Sequence, residues 1–443
     1  MNTPVCDFVR NYAGSDPVRL HMPGHKGRAF LGCEAWDMTE IDGADTLYLP
    51  RGIIRESEQN ASRLFGCETF YSAEGSSLCI RAMLYLAMRH TGIRRVLAGR
   101  NAHRTLLTAA ALLDLDLRWL APQPEEGYCA CTVTAQTLER ALQKEPVGAV
   151  YITSPDYYGS ITDIAALSAV CRRYGALLLV DNAHGAYLHF LPQPCHPADL
   201  GADLCCDSAH KTLPVLTGGA YLHLGSAVRD ALSPCVKDAM ALFGSTSPSY
   251  LILQSLDNAN VYLETFRQKL AAFLPKTAAL KAELQSAGFT LCGAEPLKIT
   301  IRAADCGYTG DALAGMLAAQ SVFCEMHDAE HLVAMLTPEN SDADLRRFSD
   351  ALRSVPKRDA IARETPPFRA PQIVCSVRQA LFSPAETLPV EQCVGRVCAL
   401  PPAACPPCVP IVLSGERIDG QAAQMLLSYG VTECSVMRET HGE

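Results

Sequence analysis

Apolar residues along this chain change their spacing several times, and each change predicts a secondary-structure element. From about residue 58, stretches with apolar side chains at helical spacing alternate with short continuous apolar runs. The helical stretches are 76–89, 161–174, 250–285 and 342–353, and the strand-like runs are 147–153, 176–181, 218–224, 295–303 and 331–337. Because continuous apolar strands separated by helices are typical of a parallel sheet covered on both faces, the pattern predicts an α/β fold.

The same pattern predicts four parts. Residues 1–57 are rich in Gly, Pro and His and lack long periodic runs, which indicates an arm that packs on another part. Residues 58–255 form a large α/β domain, 256–365 a smaller α+β domain, and 366–443 a small C-terminal α+β domain. The last boundary lies at the proline-rich Thr365-Pro366-Pro367.

Composition narrows the class of protein. With 443 residues, 49% apolar and 19% charged, the chain is long enough for several domains with sizeable cores. A net charge of −9 argues against a nucleic-acid partner. The first twenty residues lack an apolar signal-peptide core, and no apolar run reaches the length of about 18 residues that a membrane helix needs. We therefore expect a cytoplasmic protein without membrane contact, whose 20 cysteines are reduced.

Three short segments carry candidate chemistry. Asp181 ends a buried strand, where the functional groups of an α/β sheet gather, although an aspartate there is also an ordinary helix cap. Lys211, in Ser208-Ala209-His210-Lys211, is a candidate nucleophile, although most lysines are solvated. Glu74-Gly75-Ser76-Ser77 precedes a helix whose N-terminus favours a phosphate, although serine is also a common cap.

The order of these segments is more informative than any one of them. A phosphate-binding turn, then an aspartate at a strand end, then a lysine after Ser-X-His is the order found in fold-type I enzymes that use pyridoxal 5'-phosphate (PLP). PLP requires a phosphate cup, a carboxylate at its pyridine nitrogen and a lysine that forms a Schiff base. The sequence therefore predicts a PLP enzyme with an aspartate aminotransferase-like large domain and a mainly parallel sheet.

Further motifs resemble the Orn/Lys/Arg decarboxylase family in its short form, over nearly the whole chain. They are 21–27 (HMPGHKG), 37–42 (DMTEID), 50–56 (PRGIIRE), 100–103 (RNAH), 154–159 (SPDYYG), 181–184 (DNAH), 208–211 (SAHK) and 245–250 (STSPSY). Each motif is modest alone, but together and in this order they are highly specific. The resemblance implies decarboxylation of a basic amino acid (arginine, lysine or ornithine) to CO2 and a polyamine-type amine.

The resemblance also implies a role for each site residue. Lys211 would form the Schiff base, and Asp181 would pair with the ring nitrogen. His103 would stack on the ring, and His184 would lie near its 3-oxygen. Glu325 would lie near the substrate, in an active site shared across a homodimer or a higher oligomer. The implied phosphate-binding residues are Gly75, Ser76, Ser77, Ser208 and His210, with Thr246 from the neighbouring subunit.

The residues by themselves leave alternatives open. His103 is compatible with a buried structural histidine, Glu325 with a solvated acid, and Thr246 with a helix cap. A metal site at His21, His25 and His103 lacks supporting Cys or carboxylate spacing, so we expect no metal.

Some positions depart from the family pattern. Asn182 stands where the family commonly has Glu, and Ser76 where it commonly has Thr. In the C-terminal part, 405–410 (CPPCVP) replaces Tyr-Pro-Pro-Gly-Ile-Pro, and 414–416 (SGE) replaces Pro-Gly-Glu. These changes leave the substrate open among the three amino acids, and the Cys-Pro-Pro-Cys segment also resembles a redox or zinc pair.

Two other functions remain open from the sequence. One is a different fold-type I PLP reaction, such as that of an aminotransferase or a lyase, and the other is a PLP-binding protein without catalysis. An aminotransferase would lack the 21–27 motif and would usually need an arginine clamp for a second carboxylate. The retained lysine, aspartate and phosphate-binding turn argue against a silent protein. The number of ordered motifs disfavours a protein that does not bind PLP.

Overall fold

The computed structural model describes residues 1–123, 126, 128–362, 367–402 and 409–439. Its α-helices are α1 (Pro4–Gly14), α2 (Ile53–Phe65), α3 (Gly75–Thr91), α4 (Arg104–Leu113), α5 (Ala135–Leu142), α6 (Ile164–Tyr174), α7 (Ala209–Thr212), α8 (Arg229–Ala241), α9 (Tyr250–Leu263), α10 (Phe266–Ser286), α11 (Gly310–Ala318), α12 (Asp342–Arg353), α13 (Val377–Phe382) and α14 (Gly420–Ser428). Its β-strands are β1 (Glu68–Ser72), β2 (Arg95–Gly99), β3 (Asp116–Leu120), β4 (Ala149–Thr153), β5 (Leu177–Asp181), β6 (Leu204–Asp207), β7 (Ala220–Leu224), β8 (Leu291–Cys292), β9 (Lys298–Arg302), β10 (Met326–His327), β11 (His331–Met335), β12 (Ala385–Pro389), β13 (Cys398–Leu400) and β14 (Glu433–Met437). Short 3₁₀ helices cover Ala186–Phe190, Ala303–Cys306 and Val390–Cys393.

The chain divides into two compact units. The first comprises Met1–Gly92 and Cys171–Ala271, and the second comprises Ile93–Val170 and Ala272–Glu443. The first unit contains β1, β5, β6 and β7, and the second contains β2, β3 and β4. The four-part division that the sequence predicts stays a prediction, and part of its last boundary, 365–366, lies outside the described residues.

In the first unit, four strands follow the order β1–β7–β6–β5. β5 and β6 run parallel, with Asp181 opposite Cys206, whereas β7 is antiparallel to both β6 and β1. Every residue of β6 and β7 is buried, because α3 packs against these strands. The carboxyl ends of β5 and β6 therefore lie side by side, which brings Asp181 next to the segment that leads to Lys211.

The N-terminal arm contains a helix that the sequence pattern does not predict. α1 has a proline at its first position, Pro4, where the missing N–H costs nothing. The helix buries Val5, Cys6 and Val9, and Cys6 N donates to Asp257 Oδ2 at 2.9 Å. With only three turns, its apolar periodicity is too short to stand out in a Gly- and Pro-rich stretch.

In the second unit, the order β4–β2–β3 has β2 at its centre, and β2 runs parallel to both neighbours. Two antiparallel sheets follow, with the orders β10–β11–β9–β8 and β12–β14–β13. α12 starts at the predicted residue because Ser341 and Asp344 form a capping box that satisfies the first backbone amides.

The predicted helices and strands are present, with shifts of a few residues at their ends. The predicted helical stretch 250–285 is two helices, since α9 ends at Leu263 and α10 begins at Phe266. Within the ranges that the structure describes, we find no helix with the length and apolarity needed to cross a lipid bilayer.

Candidate active site

Lys211 lies in α7, a single helical turn that follows directly from β6. Ser208 is the N-cap residue of this turn and is buried. Lys211 Nζ lies 2.8 Å from His184 Nε2, so the segments that follow two neighbouring parallel strands meet at this pair. Because one nitrogen of a hydrogen-bonded pair donates and the other accepts, the amine and the imidazole share a proton between them.

Asp181 is the last residue of β5 and is only 2% exposed. Its Oδ1 accepts a hydrogen bond from Ala183 N at 3.2 Å. The 3₁₀ helix that follows is capped by Gly185, so Asp181 does not have the helix-cap role that the sequence leaves open. The carboxylate is held at the carboxyl end of a buried strand, which is where α/β proteins bind ligands.

Two serines and a helix N-terminus form a polar cradle in the first unit. Ser76 and Ser77 lie in the first turn of α3, which begins at Gly75. Gly75 has φ = +72°, a conformation that favours glycine, and a Cβ at this position would meet nothing within 4 Å. Ser208 Oγ donates to Ser76 Oγ at 2.8 Å. Two hydroxyls and the positive end of a helix next to open space are suited to a phosphate.

The first unit also contains His210 and Thr246, the two remaining residues that the sequence predicts to bind the phosphate. His210 Nδ1 donates to the carbonyl of Gly219 at 3.0 Å, which leaves Nε2 as the ring nitrogen for a ligand. Thr246 is exposed, and its loop is tied to the cradle by a hydrogen bond from Ser245 N to Glu74 Oε1. α9 is capped by Ser249, so Thr246 is not the helix cap that the sequence leaves open.

Two of the predicted site residues, His103 and Glu325, lie in the second unit. His103 is exposed and caps α4 by accepting a hydrogen bond from Thr105 N at 3.2 Å, so it is not a buried structural histidine. Glu325 is also exposed, and its Oε1 accepts a hydrogen bond from Tyr157 Oη at 3.1 Å. Tyr157 belongs to the 154–159 motif, so a motif residue with no role assigned from the sequence orients the predicted substrate acid.

A buried ion pair joins the C-terminal part of the second unit to the motif that contains His103. Arg100 Nη1 and Nη2 donate to the two carboxylate oxygens of Glu416, each at 2.7 Å. Both side chains are almost fully buried. The 414–416 segment departs from the family pattern, yet it keeps the acid that closes this pair. Of the other altered segment, 405–410, the Cys-Pro-Pro-Cys part at 405–408 lies outside the described residues.

A fully buried cluster in the first unit has no counterpart among the sequence motifs. Asp207, the last residue of β6, bonds both His196 and His223 through their Nε2 atoms. The histidines are 11 and 16 positions away along the chain, which no short spacing rule connects. The available signal is an aspartate at a buried strand end, directly before the motif that contains Lys211.

Comparison with known families and sequences gives one consistent result. A family model described as "Orn/Lys/Arg decarboxylase, major domain" matches residues 3–302. The uncharacterized protein YaaO of Bacillus subtilis is 31% identical to this chain, over 96% of this chain and 94% of that protein. An arginine decarboxylase of Bacillus subtilis is 27% identical, over 94% of this chain and 91% of that protein.

Solved structures show the same fold. The lysine decarboxylase LdcF of Francisella novicida matches with a TM-score of 0.79 at 15% identity, covering 98% of this chain and 81% of that chain. The constitutive lysine decarboxylase of E. coli matches with a TM-score of 0.77 at 17% identity, covering 99% and 82%. The predicted α/β fold with a large, mainly parallel sheet is thereby confirmed.

Proposed function

We propose, because this chain belongs to the Orn/Lys/Arg decarboxylase family, that it is a PLP-dependent carboxy-lyase that removes the carboxylate of a basic amino acid. The observation that carries the proposal is the meeting of Lys211 and His184 beside Asp181, at the ends of two parallel strands. The cradle at Ser76 and Ser208 belongs to the same unit.

The donor set of the first unit fits PLP. The cradle would hold the phosphate through the Ser76 and Ser208 hydroxyls and the first amides of α3. The glycine at the start of α3 leaves space there that a side chain would fill. Asp181 offers a buried carboxylate for the pyridine nitrogen, and Lys211 offers the amine for the aldehyde carbon.

PLP, when bound, supplies the electron sink that stabilises the carbanion left as CO2 departs. The chain's own residues then hold the ring and move protons. Asp181 keeps a proton on the ring nitrogen, because a buried carboxylate favours a cation beside it. Lys211 delivers a proton to the substrate Cα, and His184 holds or returns that proton through the 2.8 Å contact between Nζ and Nε2. His103 is proposed to contact the cofactor ring.

The substrate is proposed to carry a distal cation that Glu325 recognises. The carboxylate of Glu325 is exposed and is oriented by Tyr157, as a recognition group requires. Arginine is the first substrate to test, since several curated relatives with coverage above 90% of this chain are named arginine decarboxylase. Lysine and ornithine are the alternatives within the family.

We further propose that the protein acts in the cytoplasm as a homodimer that shares its active sites, with Thr246 reaching the partner's phosphate. The 18 described cysteines are free thiols, which is typical of a reducing compartment. Thr246 lies on an exposed loop, and the N-terminal arm exposes several large apolar side chains, which supports an interface with a second copy.

The test is a CO2-release assay on PLP-loaded protein with arginine, lysine and ornithine in parallel, with the amine product identified by mass spectrometry. We expect CO2 together with agmatine, cadaverine or putrescine. The K211A variant should lose both products. K144A, which removes an exposed lysine of the second unit, is the matched control and should keep wild-type activity.

Three outcomes would contradict the proposal. A keto acid in place of CO2 would indicate an aminotransferase. Bound PLP without any product would indicate a PLP-binding protein that is not a catalyst. Full CO2 release by K211A would remove Lys211 from the mechanism.

A further inference from the structure

Asp207 is the centre of a buried hydrogen-bond network directly behind the candidate active site. Its side chain is fully buried at the end of β6, four positions before Lys211. Oδ1 accepts from Asn182 Nδ2 at 2.6 Å, and Oδ2 accepts from the Nε2 atoms of His196 and His223, each at 3.0 Å. Asn182 immediately follows Asp181, so this one carboxylate touches the turn that carries Asp181 and His184.

The charge on this carboxylate follows from its partners. Burial by itself would raise the pKa of Asp207, but His196 and His223 outweigh burial and hold the pKa well below its usual range. Asp207 is therefore an anion in the interior, and an interior anion requires donors on its oxygens.

The same three side chains lie close enough to hold a metal ion, but the tautomer of His196 opposes that reading. Its Nδ1 accepts a hydrogen bond from Ala198 N at 3.2 Å. In a neutral ring, Nε2 must then carry the proton, so it donates to Asp207 and has no lone pair for a metal. The cluster is a hydrogen-bond network.

The side-chain amide of Asn182 suits the anionic Asp207, because it can donate a hydrogen bond. The family commonly has Glu at this position, and a second carboxylate here would face Asp207 at hydrogen-bond distance with no proton between them. The amide instead donates to Asp207. Its Oδ1 has no hydrogen-bond partner among the described residues, and Gly185 makes room for it, since a Cβ there would lie 2.1 Å from Oδ1. The contact with Asp207 thus determines how the amide is turned.

We propose that Asp207 and Asn182 are positioning residues, which act through their hydrogen bond to fix the 181–185 turn and thereby Asp181 and His184. The backbone of this turn is bonded at two further points, Asn182 N to Cys206 O at 2.9 Å and Gly185 N to Asn182 O at 2.8 Å. Asp207 lies four positions before Lys211 and bonds Asn182, which follows Asp181. The network therefore connects the segments that carry Asp181 and Lys211 through one buried side chain. The inference deepens the proposed function and rests on it only for its catalytic consequence.

The test uses isosteric variants in the full-length protein: N182D, D207N and the exchanged pair N182D/D207N. Three quantities are measured, namely hydrogen exchange of the 182–185 amides, the Kd for PLP by equilibrium dialysis, and kcat with KM. The control is D199N, which breaks another histidine–aspartate contact of this unit, His189 Nδ1 to Asp199 Oδ2 at 2.9 Å, whose carboxylate makes no hydrogen bond to the 181–185 turn among the described contacts.

N182D should lose at least about tenfold in exchange protection and in PLP affinity, with a larger effect on kcat than on KM, because like charges face each other and the turn loosens. D207N should behave similarly. The exchanged pair should recover to within about threefold of wild type, since one amide–carboxylate bond is restored with reversed direction. D199N should leave protection of the turn and PLP affinity unchanged.

Wild-type protection and PLP affinity in N182D would overturn the proposal, as would an exchanged pair no better than the worse single variant. A D207N protein that fails to fold leaves N182D as the deciding variant. If the wild type binds PLP but releases no CO2, the proposed function fails, while the exchange protection of the 182–185 amides still decides the positioning role.

Discussion

At the residue scale, the site consists of few groups held by short local contacts. Two neighbouring strand ends of the first unit provide Asp181, His184 and Lys211. Contacts within that unit orient these side chains. The motifs single out these residue types because PLP chemistry restricts the choice of side chain, and the roles of the three residues stay predictions. The buried network around Asp207 could not be predicted in this way. Asp207 contacts two histidines that no motif contains, because a buried network can be assembled from any part of the chain.

A single histidine in the second unit should make stability depend on pH. His331 is buried, and burial favours its neutral form. Its interactions with Asp328 and Cys292 outweigh burial and raise the pKa of His331 to about 9. Because the folded pKa is raised, the stabilisation is complete below the unfolded pKa of about 6.5 and is lost as pH rises through about 9.

Between pH 6.5 and 9.5, the wild type should therefore lose up to roughly 3 kcal/mol of stability relative to H331N. Urea unfolding at a series of pH values measures this difference. The control is H327N, which removes a half-exposed histidine paired with Asp311 and should follow the wild-type profile closely. A wild type and an H331N variant with parallel profiles would show that His331 titrates alike in the folded and unfolded chains.

At the element scale, the sequence predicts more than it does at the level of contacts. Continuous apolar runs identify β4, β5 and β7 because a strand buried on both faces has little choice of residue. The short helix α1 is missed, since three turns in a Gly- and Pro-rich arm give little periodicity. The pairing of Arg100 with Glu416 could not be predicted either, because 316 positions separate the two residues.

Breaking the buried ion pair of Arg100 and Glu416 should be costly, because neither side chain can reach solvent. Removing the charge of Glu416 in E416Q leaves Arg100 as an uncompensated buried cation, so we expect a loss of about 3–5 kcal/mol in urea unfolding. The apolar double variant R100M/E416L should recover most of that loss. D116N, which breaks the half-exposed pair of Arg95 and Asp116, is the control and should cost less than about 1 kcal/mol.

A loss of under about 1 kcal/mol in E416Q would mean that water or another group takes over the guanidinium. Arg100 lies three positions before His103, so E416Q also tests an effect on the cofactor site. If the pair positions the segment before α4, then E416Q should also weaken PLP binding.

At the scale of the whole molecule, the N-terminal arm leaves an unusual amount of apolar surface in solvent. Val18, Leu20, Phe30 and Leu31 are 79–91% exposed. Clusters of exposed aliphatic and aromatic side chains mark association surfaces more often than free surface. A second copy of this chain is the partner that the proposed shared active site requires.

Replacing Leu20 and Leu31 by Glu should therefore convert a dimer to monomers in sedimentation velocity. Each buried leucine contributes about 1.5–3 kcal/mol, so the double variant should raise the dimer dissociation constant by at least about 100-fold. Leu112, a half-exposed residue of α4 in the second unit, provides the control variant L112E. An unchanged sedimentation coefficient for the double variant would place the interface elsewhere.

The link between Arg100 and Glu416 also affects how the protein is made. Glu416 follows Arg100 by 316 residues, and ribosomes add about 5–20 residues per second, so roughly a quarter of a minute to a minute of translation separates the two partners. During that interval Arg100 lacks the Glu416 carboxylate that pairs with its guanidinium in the folded core. The motif that ends in His103 can reach its final arrangement only after nearly the whole chain has left the ribosome. A truncated nascent chain would therefore present this segment to chaperones and proteases in a form that the finished protein does not show.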